Sequence, residues 1–164
     1  MKRIILAAMV CATLSLSCSE DKNEDAMIAS NLVGVWEFSE LDTANATGNV
    51  NLINDILMNL VASGCDILSY DFKSDQTVTA SYRDFTETGR DVNLGGTGLL
   101  IECPSNVIMT SGVWELNGDQ LSFIDTSGSI ETVTIEIDGN TLTIPGEVLD
   151  EDNLAGTKAI FIKQ

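Results

Sequence analysis

Catalytic chemistry has few places to reside in this chain. It contains no histidine, so a Ser-His-Asp or Cys-His arrangement and any imidazole-bound metal are absent. Ser19 and Lys22 have the Ser-x-x-Lys spacing in which an amine can serve a nucleophilic hydroxyl. They stand in a run without an apolar residue between Cys18 and Ala26, where no helix could hold the pair. Asn93 to Gly98 is rich in glycine but lacks the third Gly and the following Lys of a loop that cradles phosphate. Glu147, Asp150, Glu151 and Asp152 gather four carboxylates without the spacing of a calcium loop; they read as a solvated acidic loop. Two thiols, Cys65 and Cys103, do not by themselves make a zinc tetrahedron. With 25 acidic residues a paired carboxylate site stays open, although most should be outward strand positions, as Glu131 and Glu136 are expected to be. No catalytic residue, metal or cofactor is assigned.

Address is easier to read than chemistry. Residues 1–17 carry Lys2 and Arg3, then an apolar run from Ile4 to Ala12, then small residues up to Ser17, the three parts of an export signal. Cys18 follows, and Leu14-Ser15-Leu16-Ser17-Cys18 resembles the lipobox of bacterial lipoproteins, with Ser15 where that family usually has Leu. The resemblance implies that the Cys18 thiol is acylated and anchors the chain to a membrane. The other reading is an ordinary signal peptide cut near Ser17. Residues 18–29 are then an acidic tether, whose start resembles the tag that sends Bacteroidota lipoproteins to the outer face of the outer membrane; a plain spacer, with a periplasmic location, is the alternative. Losing Lys2 and Arg3 leaves six basic against 25 acidic side chains, a net charge of −19. Such a field repels phosphate backbones, and nucleic acid is excluded as a partner.

The elements that must position any site lie in residues 30–164, the size of one domain. Short alternating runs separated by turn residues predict an all-β, antiparallel, up-and-down barrel of about eight strands. They are 32–41, 67–72, 77–83, 107–116, 121–125, 130–137, 141–144 and 158–163, with a further strand at 99–103 left open inside an irregular stretch. Asn117-Gly118 marks a tight hairpin. One segment breaks the period-two pattern. Leu52, Ile53, Ile56, Leu57, Leu60 and Val61 recur at helical spacing, predicting one short helix between the first and second strands, with Asn49 or Asn51 as cap and Gly64 at its left-handed end.

Gly34-Val35-Trp36 and Gly112-Val113-Trp114 place a glycine two residues ahead of an inward indole, where another backbone can come close. Two such motifs, a Cys before the second strand, another ahead of the second Gly-x-Trp and the lipobox together resemble the lipocalin-like domain of Bacteroidota lipoproteins. The resemblance implies a calycin-type barrel and a small apolar ligand. Trp36, Leu57, Leu60, Val61, Tyr70, Tyr82 and Trp114 are the residues expected to line its site, with the helix as a lid. The competing reading is a barrel filled by its own aromatics that grips another protein through its loops. Removing Cys11 with the leader and giving Cys18 to lipid leaves Cys65 and Cys103, which in an exported domain are expected to pair; two buried thiols are the alternative.

Overall fold

The computed structural model describes residues 30–46, 50–85, 91–92, 99–100 and 102–164. The leader, Cys18, the tether up to residue 29, Asn49 and most of the irregular stretch from 86 to 101 lie outside the described residues.

The chain folds as an antiparallel, nearly closed β-barrel. Its strands are β1 (Gly34–Asp42), β2 (Leu68–Phe72), β3 (Thr77–Arg83), β6 (Val107–Asn117), β7 (Gln120–Asp125), β8 (Ile130–Thr134), β9 (Glu136–Asp138), β10 (Thr141–Pro145) and β11 (Lys158–Lys163), with a separate two-stranded ladder formed by β4 (Asp91–Val92) and β5 (Leu99–Leu100). The order around the barrel is β8-β7-β6-β3-β2-β1-β11-β10-β9. The expected run 130–137 is therefore two strands. Its first half pairs with β7 and its second with β10, with Ile135 between them donating its amide to Asp119 O at 2.9 Å. One bent strand thus bridges the two ends of the sheet, and this is how eight runs come nearly to closure.

Alternation decides which side chains fill the interior. In β1, Trp36 and Phe38 point inward, a register shift between Phe38 and Glu40 follows, and Leu41 is inward again. The bulge re-phases the strand so that its far half still contributes to the core. Trp36, Phe72, Leu121, Leu142, Ile144 and Phe161 are fully enclosed. Of these, Trp36 and Phe72 pack toward the end of the barrel where β1 begins and β11 finishes. There Trp36 Nε1 donates to Leu32 O at 2.7 Å, and Trp114 Nε1 to Lys73 O at 3.3 Å.

The two Gly-x-Trp motifs work by different means. A Cβ on Gly112 would stand 2.5 Å from Ile124 O, so here a neighbouring backbone does occupy the space. At Gly34 the approach comes from a side chain. The backbone has φ 137°, and a Cβ would meet Lys163 Cε at 2.6 Å. The Lys163 ammonium lies 5.0 Å from the Trp36 ring centroid and donates to Asn31 O at 2.6 Å, so the last strand seals this end of the barrel over the first indole.

Helix α1 (Asn51–Ala62) lies between β1 and β2. No side chain caps its start: Val50 is the N-cap and Asn51 the first helical residue. Its end is a Schellman turn. Gly64, at φ 81°, donates to Val61 O and Cys65 to Leu60 O, the two bonds that satisfy the last carbonyls. Leu60 is buried, and Ile53, Ile56, Leu57, Met58 and Val61 pack against the core. Leu52, expected on the same face, is 59% exposed. It occupies the first turn, beyond the reach of the core.

Candidate functional site

Among the described residues, aromatic packing stops short of the end of the barrel opposite Lys163 and leaves it open. A cavity of about 460 Å³ remains there, within the range of sites that enclose a small ligand. Its walls come from strand starts and ends. Phe38 of β1, Tyr70 of β2, Ala80 and Tyr82 of β3, Thr110 of β6 and Phe123 of β7 form the inner surface. Ile67 and Leu68 form the approach to β2, while Arg83 and Phe85 form the rim beyond β3. The helix contributes Leu57. The residues after β10 contribute Val148, Leu149 and Leu154.

That last segment was expected to be a solvated acidic loop, and it is so on one side only. A 3-10 turn at Gly146–Val148 folds the segment back on itself. Glu147 Oε1 accepts the amide of Gly156 at 2.7 Å, a bond that holds its carboxyl below the usual range. Asp150 accepts the amides of Asp152 and Asn153 and the side-chain amide of Asn153. The carboxylates thus stitch the loop on its outer side and leave Leu154 buried and Val148 and Leu149 turned to the core.

Among the mostly apolar walls, the buried Tyr70 and the charged Glu131 and Arg83 define the polar part of the cavity. Tyr70 is 8% exposed, with ring centroids 5.3 Å from Phe161, 5.8 Å from Phe72 and 6.0 Å from Phe123. Burial, and after it the charge of Glu131, pushes its phenol up to about 12. Tyr70 is therefore a neutral hydroxyl at any physiological pH. Glu131 corrects the expectation of an outward position. It pairs with Phe123 across β7 and β8 and has the parity of Val133, so it lines the mouth of the cavity while staying exposed to solvent. Arg83 also reaches the rim, but its guanidinium is bound by Asp66 O at 2.9 Å and Pro104 O at 3.3 Å.

The lid position of α1 is fixed by a crosslink. Cys65 and Cys103 form a disulfide with Cα atoms 5.7 Å apart, tying the helix end to the segment that precedes β6. No group of three or more His, Cys, Asp or Glu that could hold a metal occurs among the described residues. No helix among them is long and apolar enough to cross a membrane.

The family model for the lipocalin-like domain matches residues 32–144. The chain belongs to this family. Among solved structures, this lipocalin-like chain is similar to a lipocalin-like protein from Bacteroides uniformis, at 17% identity over 82% of this chain and 99% of that one, with a TM-score of 0.46. No curated protein matches it.

Within this lipocalin-like domain the seven residues expected at the site are divided. Leu57, Tyr70 and Tyr82 stand on the cavity wall. Trp36, Leu60 and Trp114 lie in the packed core, and Val61 packs against it; none of the four faces the cavity. The indoles are turned toward carbonyls at the closed end, and Leu60 is buried in the core cluster. Sequence reasoning missed Phe38, Phe123, Glu131 and the Val148, Leu149 and Leu154 group. Two signals were available. Glu131 has the parity of Val133 and Ile135, and three apolar residues in an acidic loop need something to cover them.

Proposed function

We propose that this lipocalin-like chain is a binding module that takes a small, largely apolar molecule into the open end of its barrel and is held at the outer membrane by lipid on Cys18. The cavity carries the reading. One half of the barrel is filled by its own aromatics, yet a mostly apolar cavity of about 460 Å³ remains beside Leu57 of the helix. The apolar lining gives the affinity that area burial provides, and the Tyr70 hydroxyl gives orientation. Anchoring rests on the lipobox resemblance and placement on the cell surface on the acidic tether.

Fluorescence titration with N-phenyl-1-naphthylamine, a neutral probe that brightens in apolar surroundings, tests the binding reading. Saturable enhancement at one probe per chain is expected. A flat titration at micromolar protein would leave the interaction-scaffold reading in its place.

A further inference from the structure

We infer that the molecule taken up by the cavity is a cationic amphiphile, its apolar tail inside and its positively charged head at the mouth between Glu131 and the rings of Tyr70 and Phe123. The inference rests on the binding reading above and specifies its ligand class. Four observations carry it.

First, Glu131 stands at the mouth of an apolar cavity and makes no ion pair among the described residues, where the sole ion pair is Lys73 with Asp71. A carboxylate beside an apolar wall gains most from a cation that arrives with its own apolar body. Second, Glu131 lies directly across the ladder from Phe123, and the Phe123 ring is stacked on Tyr70 with planes inclined by 29°. Acid and aromatic faces therefore adjoin, the combination that holds alkylammonium groups. Third, the one cation on the rim among the described residues, Arg83, is engaged by the carbonyls of Asp66 and Pro104 and fastens β3 to the crosslinked segment; it is not presented to an anionic head. Fourth, the chain carries a net charge of −17, which draws cations toward the mouth and repels anions.

Three probes with one tail and different heads separate the outcomes: decyltrimethylammonium, the uncharged decyldimethylamine N-oxide and decyl sulfate, each below its micelle concentration, titrated calorimetrically into the full chain. The cation should bind at least tenfold more tightly than the N-oxide, and the sulfate most weakly. Glu131→Gln should remove the preference for the cation, bringing its affinity to that of the N-oxide or below. Glu136→Gln, which removes the same charge from the outer wall, should keep the preference. Equal binding of the three probes, or equal loss of preference in both variants, overturns the cationic ligand and leaves the binding reading standing. Absence of binding by all three overturns both.

Discussion

The amide of Cys65 donates to the carbonyl of Leu60 at 3.0 Å, and that one bond sets both the end of the helix and the start of the crosslink. Because Leu60 is buried and Cys65 follows the left-handed Gly64, the thiol is delivered to Cys103 at the edge of the cavity. A paired substitution, Cys65→Ser with Cys103→Ser, should lower unfolding free energy by about 3 to 4 kcal/mol in the chain-entropy model for a separation of 38 residues. Denaturant melts of the oxidised and substituted chains measure it.

Leu57 is the helix residue on the cavity wall. Charging it as Leu57→Asp places an unpaired carboxylate against apolar lining, at a cost of a few kcal/mol if it stays buried. Binding of N-phenyl-1-naphthylamine should fall by at least tenfold. Retention of full affinity would show that the helix plugs the barrel without touching its contents.

Tyr70 gives a pH signature. Burial pushes its phenol from the ordinary value of about 10 up to about 12 in the folded chain, so above pH 10 the unfolded state loses its proton first. Stability is therefore unaffected by this group below about pH 10 and falls as pH rises from 10 through 12, by about 2 to 3 kcal/mol. Tyr70→Phe should abolish that portion of the alkaline loss. It should also remove the last phenolate step in a titration followed by ultraviolet absorbance.

Gly112→Ala tests the close approach of β6 and β7. The added methyl meets the carbonyl of Ile124 at 2.5 Å, and backbone cannot move aside cheaply. A loss of roughly 1 to 3 kcal/mol is expected from overpacking, read as a lower thermal midpoint. An unchanged midpoint would mean that the two strands can separate there without penalty.

Anchoring is open to a direct assay. The wild-type chain should incorporate labelled fatty acid and sediment with membranes, and Cys18→Ala should do neither. Lipoprotein maturation supplies more than one acyl chain, as stable anchoring requires. An unlabelled wild type would reject the lipobox reading.

Much of the barrel could be read from alternation, since period two fixes which side chains of each run turn inward. The helix was equally legible from its period and from Gly64. What alternation does not carry is depth along the barrel axis. Trp36 and Tyr70 face each other across β1 and β2, yet the indole swings to Leu32 O at the closed end and the phenol to the cavity. That choice depends on χ angles and on a carbonyl supplied by a preceding turn. Glu131 was half legible: charge suggested solvent, and the residue is exposed, whereas its parity with Val133 sets it on the mouth of the cavity. The bend at Ile135 left no mark, because Thr134-Ile135-Glu136 continues the alternating pattern through the change of partner.

The contact of Lys163 with Asn31 bears on where cargo comes from. It puts the start of the domain, Ser30, beside the last residue of β11, at the sealed end. A tether rising from Cys18 would reach the barrel at its base, with the mouth about 20 Å away across the seven residues of β3. In the anchored arrangement proposed above, the opening would face away from the leaflet that holds the lipid, and a molecule entering it would be collected from the aqueous phase instead of being extracted from the bilayer.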